Sequence, residues 1–158
     1  MKATVHWQNG MKFVGTGPSG FPIQMDAESA LGGNDSGVRP MELMALGLIG
    51  CQAMDVISIL QKKRQQITKF EVRFDGPRSP EYPKVFTGAV ITFVVTGIQV
   101  SEDAVLRSIE LAATKYCPAS AMLEQAFPMD LHYEIYESEE NGQKRLTYQG
   151  VWQNMMMA

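Results

Sequence analysis

Between Pro40 and Leu60 the chain carries an apolar run, PMELMALGLIGCQAMDVISIL, about as long as a membrane span. Glu42, Gln52, Asp55 and Ser58 interrupt it. Ionised groups are costly at bilayer depth, so the run reads as the core helix of a globular protein. Pro40 suits the first helical position, because its missing N–H would have no partner there. The helix is expected to run from Pro40 to about Gln65. Gly47 and Gly50 inside it each lower helix propensity by about 1 kcal/mol against alanine. That cost predicts close approach of another backbone or of a ligand. A helix this apolar exceeds what one small sheet can cover, which predicts a two-fold homodimer.

Flanking segments alternate with the period of strands. Val5 and Trp7 alternate with Thr4, His6 and Gln8, predicting a half-buried strand. Asn9-Gly10 is a hairpin signal. A second strand follows around Met11 to Thr16, and a third has Phe21, Ile23 and Met25 on one face. The polar, Gly-rich stretch from Asp26 to Val38 reads as a loop. Phe70, Val72 and Phe74 define an amphipathic strand. Pro77, Pro80 and Pro83 mark a connection. Ala89 to Thr96 is the most apolar strand and is expected to be central. Met129, Leu131, Tyr133 and Ile135 form another strand. A turn at Glu139 to Gly142 leads to a last one at Leu146 to Val151. With 158 residues the chain is expected to be one domain, 1–158, with 152–158 a flexible tail.

The net charge is -3, and Lys62-Lys63-Arg64 is the one basic cluster. Phosphate binding needs a concentrated basic surface, so nucleic acid is not an expected partner, and neither is a membrane. The first residues contain no apolar leader segment. Two cysteines without one suggest a reducing, cytoplasmic setting.

Those cysteines, Cys51 and Cys117, are the chain's two thiols. A second helix is expected to start at Ser101, an N-cap, with Glu102 and Asp103 favouring its positive end and Val100 and Val105 as a hydrophobic staple. Pro118 interrupts it. Cys117 then falls at the N-cap of a new segment from Pro118 to Ala126, where unpaired N–H groups would stabilise a thiolate. Cys51 is mid-helix. Its face includes Met44, Gly47 and Asp55, and Asp55 one turn on raises a thiol pKa. Glu42, nine residues back, points to the opposite side. By residues alone the two cysteines read either as small buried hydrophobes or as a reversible dithiol.

Other features carry less. Gly15 to Gly20 matches G-x-G-x-x-G, but a strand rather than a helix follows, so no dinucleotide cofactor is expected. His6 and His132 fall on polar strand faces, and two histidines with two cysteines show no zinc spacing. No metal or other cofactor is expected. The eleven methionines mostly occupy apolar positions as soft packing.

The run from Pro40 through Gly50-Cys51 to Asp55-Val56-Ile57-Ser58, together with Lys115-Tyr116-Cys117-Pro118, resembles the OsmC/Ohr superfamily. These are osmotically inducible protein C and the organic hydroperoxide resistance proteins. Within it, the chain looks like the small YhfA-like OsmC proteins. The resemblance covers residues 1 to 137. It implies an α+β fold in which antiparallel sheets wrap two long central helices of an intertwined homodimer, with each active site at the subunit interface. It implies a thiol peroxidase in which Cys51 attacks an organic hydroperoxide and becomes a sulfenic acid. Cys117 then resolves it to a disulfide, which a dithiol reductant opens. Such chemistry belongs to the response to oxidative stress and follows ordinary thiol reactivity.

The chain departs from the family pattern where peroxidase members place a glutamate after the helix-opening proline. Here that residue is Met41, with Glu42 following it. No arginine precedes Arg39. Arg39, Glu42 and Asp55 are therefore the supporting site candidates beside the two cysteines. A non-catalytic dimer that binds a small ligand, or a structural stress-related dimer with vestigial thiols, is the alternative function.

Overall fold

A computed structural model describes residues 1–140 and 142–152. The chain divides into two compact units, with the boundary between Leu46 and Gly47. The first unit holds a three-stranded antiparallel meander: β1 (Thr4–Asn9), β2 (Lys12–Thr16) and β3 (Pro22–Met25). Asn9 pairs with Lys12 across the hairpin, and Gly10 adopts φ 49°, the left-handed conformation that the Asn-Gly signal favours. The G-x-G-x-x-G stretch is the end of β2, Gly15 and Thr16, followed by the turn into β3. Beyond β3, Asp26 organises the loop. Its carboxylate accepts the N–H groups of Ala27, Asn34 and Ser36 and the Ser36 hydroxyl. Led by the Ser36 hydroxyl, these donors hold its pKa down at about 2.

The expectation that β1 is half-buried is corrected. All its residues are exposed, with Val5 at 59% and Trp7 at 64%. Apolar alternation marks a face that some surface can cover, and among the described residues no element covers that one.

Helix α1 (Pro40–Lys62) begins in the first unit and crosses into the second. The second unit adds β4 (Gln66–Asp75), β5 (Ala89–Ile98), α2 (Glu102–Leu111), α3 (Pro118–Leu123), β6 (Met129–Ser138) and β7 (Lys144–Trp152). The strands lie in the order β4-β5-β6-β7. The β4–β5 and β6–β7 pairs are antiparallel. β5 and β6 run parallel, because the α2–α3 segment carries the chain back between them. As the alternation predicts, β5 is an interior strand, and Ile91, Phe93 and Val95 are buried. They join Leu131 and Ile135 of β6, Val105 and Ile109 of α2, and Val56 and Leu60 of α1 in one core cluster. Val100 and Val105 both belong to it, as a staple at the α2 entrance requires.

Two further expectations are corrected. α1 is not a fully buried core helix. Its buried residues, Leu48, Gln52, Val56 and Leu60, form one stripe at four-residue spacing. By length and composition it could cross a membrane, yet only 22% of its apolar window is buried inside the chain. Met54, at 74% exposed, lies off the stripe. Among the described residues no backbone lies against Gly47 or Gly50, where a Cβ would meet nothing within 4 Å, so both stay open to a second chain or a ligand. The expected tail at 152–158 is also shortened, since Trp152 closes β7, paired with Leu131. The rest of that stretch, including Met155, Met156 and Met157, lies outside the described residues, as does Asn141 of the expected turn.

Candidate active site

Proline chemistry builds the Cys117 side of the site. The residue before a proline is pushed out of the α region, and Pro118 offers no N–H to continue a helix. Cys117 accordingly adopts φ -78°, ψ 107° and caps α3. The helical path before it widens into a π-type turn, Ala112–Tyr116, and the Cys117 N–H donates to the Ala112 carbonyl five residues back at 3.0 Å. Such turns recur at functional sites. The Cys117 Sγ accepts the Ser120 backbone N–H at 3.4 Å. Cys117 is thus the N-cap its sequence position predicts, although it is only 3% exposed.

Cys51 comes from the middle of α1, sixty-six residues away in sequence. The fold brings the two thiols together. Cys51 Sγ, Cys117 Sγ and a carboxylate oxygen of Asp55 all lie within 4.8 Å of one another. Both cysteines are free thiols. Burial, first, and then the neighbouring Cys117 thiol push the Cys51 pKa up, the Ala119 N–H opposes them, and the Asp55 carboxylate adds the smallest upward push. The mid-helix position of Cys51 is as expected, inside α1 (Pro40–Lys62).

Beside the thiols lies a polar link invisible to motif reading. Gln52 Nε2 donates to Ser120 Oγ at 2.7 Å, with both residues 1% exposed. The same Ser120 supplies the N–H that meets Cys117, so the amide of α1 positions the cap of α3. Two buried oxygens in this neighbourhood have no hydrogen-bond partner among the described residues, Gln52 Oε1 and Asp55 Oδ2. The available sequence signal was the polar Gln52 on the Leu48, Val56, Leu60 stripe. Ser120→Ala should strand the buried Gln52 amide donor while keeping the backbone N–H to Cys117. The expected cost is about 1–3 kcal/mol in urea unfolding. The double variant Gln52→Leu/Ser120→Ala should recover part of it, since both polar partners are then gone.

Arg39 and Glu42 serve the first unit. The Arg39 backbone N–H donates to Glu42 Oε2 at 2.9 Å, half of a capping box at the start of α1. The Arg39 guanidinium pairs with Asp35 and donates to the Gly37 carbonyl at 2.6 Å. These contacts give both residues local structural work.

The α+β architecture and the thiol pair point to one class of protein. The family model for OsmC-like protein matches residues 32–132. The chain belongs to the OsmC-like family. It is 40% identical to Protein YhfA of Escherichia coli K12 over 135 residues, 85% of this chain and 98% of that protein. A crystal structure of a hypothetical protein from Aquifex aeolicus VF5 is 25% identical, with a TM-score of 0.76, and the match covers 87% of this chain and 97% of that one. The fold is shared with an organic hydroperoxide resistance protein OsmC from Legionella pneumophila at 16% identity, with a TM-score of 0.63 over 85% of this chain and 94% of that one.

Proposed function

We propose that the protein is a thiol-dependent peroxidase of organic hydroperoxides. The observation that carries this reading is the meeting of two free thiols, from distant segments, within 4.8 Å. The Cys51 thiolate attacks one peroxide oxygen. The O–O bond breaks, an alcohol leaves with a proton from solvent, and Cys51 is left as the sulfenic acid. Cys117 attacks that sulfur, water departs, and a disulfide forms. A dithiol reductant returns both thiols. Arg39 and Glu42 support α1 in this reading, and Asp55 lines the thiol pair.

The uncovered α1 surface supports a homodimer, with Met44, Leu46 and Met54 exposed and Gly47 and Gly50 open to a second backbone. A partner copy, rather than a bilayer or nucleic acid, covers it in this reading. The working place is a reducing cytoplasm. Sedimentation without detergent should give twice the mass of one chain.

Mass spectrometry after treatment with one equivalent of cumene hydroperoxide is the test. The expected result is the loss of two hydrogens and a peptide linking Cys51 to Cys117. Sulfonic acids on each cysteine with no crosslink would sink the resolving role. One observation favours the second reading, a dimer that binds a small ligand or serves structure without turnover. The Cys51 thiol pKa is raised rather than lowered, with burial and the neighbouring Cys117 thiol as the leading causes.

A further inference from the structure

We propose that Cys51, Cys117 and Asp55 together hold a thiophilic divalent cation of the zinc(II) class. Three donor atoms, two sulfurs and one carboxylate oxygen, already lie within 4.8 Å of one another. Around a tetrahedral zinc with ordinary bond lengths, two sulfurs sit about 3.8 Å apart and a sulfur and an oxygen about 3.5 Å apart.

A second observation points to a cation independently of the cluster. Asp55 Oδ2 is shielded from water and accepts no hydrogen bond among the described residues, although Asp55 as a whole is only half-buried. A carboxylate oxygen removed from water needs a donor or a positive charge. The structure supplies neither among the described residues, and a metal ion would supply the charge.

The surroundings are those of a supported site. The Ser120 N–H reaches Cys117 Sγ, and Gln52 fixes Ser120 from the opposite helix. Ligating sulfurs in metal sites are commonly oriented by such contacts. Three protein ligands leave a fourth position for water. The set is not the two-histidine, two-cysteine pattern tested in the sequence. It needs the fold, since only tertiary structure brings Cys117 to the Cys51–Asp55 turn.

Binding releases the two thiol protons to solvent and changes no oxidation state. The same sulfur lone pairs make the metal bonds and the disulfide, so the ion and the oxidised pair exclude one another. The site does not depend on peroxidase activity, because a chain without turnover would still bind the ion.

Cobalt(II) is the probe, titrated into the full chain reduced with a phosphine, which avoids a competing dithiol. The expected result is saturation at one ion per chain, with thiolate-to-cobalt charge transfer and the visible bands of tetrahedral cobalt. Zinc should bleach both bands, and about two protons should be released per ion. Disulfide-oxidised protein should show no band. Cys51→Ser and Cys117→Ser should each lose about half of the charge-transfer intensity. Asp55→Asn keeps both thiols and should bind at least tenfold more weakly. Absence of the charge-transfer band in the reduced wild-type chain would overturn the proposal, and so would an unchanged affinity in a folded Asp55→Asn variant. Circular dichroism checks each variant's fold. The wild-type titration decides the question if Asp55→Asn does not fold. A peroxide assay on metal-free protein is scored separately, so failure of the metal site and failure of the peroxidase reading are distinguishable.

Discussion

Cys51→Ser is expected to drop hydroperoxide consumption to the uncatalysed rate, whereas Cys117→Ser should consume one equivalent and stop. The asymmetry follows from where each thiol stands in the proposed sequence. Without the Cys51 sulfur there is no atom to take the peroxide oxygen, since a serine hydroxyl is scarcely ionised and a poor nucleophile toward it. Without Cys117 the first step is intact, but the sulfenic acid has no neighbouring sulfur to condense with. A trapping reagent selective for sulfenic acids should label Cys51 in that variant, and the burst should equal the chain concentration. The wild-type rate should be modest. Burial and the neighbouring Cys117 thiol act against the Cys51 thiolate, and the Arg39 guanidinium is engaged by Asp35. Wild-type consumption by Cys51→Ser would end the peroxidase reading and leave the ligand-binding or structural dimer as the better account.

Phe93→Ala should produce the largest loss of stability. Phe93 is 1% exposed in β5, with Val72 of β4 and Tyr133 of β6 opposite it in the sheet. Removing the ring forfeits its transfer out of water and leaves a cavity that packed strands cannot fully close. The expected cost is about 3–5 kcal/mol. That is a large share of the roughly 5–15 kcal/mol by which domains are stable. Urea unfolding at fixed chain concentration measures it. Met54→Ala is the useful contrast. At 74% exposure in the chain, its effect should stay within about 0.5 kcal/mol unless a partner covers the helix. A larger loss that shrinks as protein concentration rises would locate Met54 in a dimer contact. A shift below about 1 kcal/mol for Phe93→Ala would mean that the β5 core repacks far more freely than its burial implies.

Much of the secondary structure follows from local rules. Two-residue alternation places β4, β5 and β6, and Pro40 opens α1. The Ser101 side chain caps α2 by accepting the Ala104 N–H, as its position predicts. Cys117 caps α3 because Pro118 leaves its backbone little choice. Each of these choices is made within a few residues, by sterics and by hydrogen bonds to near neighbours.

What the chain alone could not determine depends on contacts between distant segments. Alternation says that Val5 and Trp7 share a face, not whether anything covers it, and among the described residues nothing does. Apolarity marks α1 as a helix to be buried, but only one stripe of it meets this chain's own core. The parallel pairing of β5 with β6 depends on the return path through α2 and α3. Residue spacing alone allowed Cys51 and Cys117 to be either two inert thiols or one pair. They meet because the Gln52–Ser120 bond and the shared core hold α1 against α3, bringing Asp55 and its unpartnered oxygen to the same place. Local propensity acts over a few residues, whereas this site is a coincidence of three side chains that only packing can enforce.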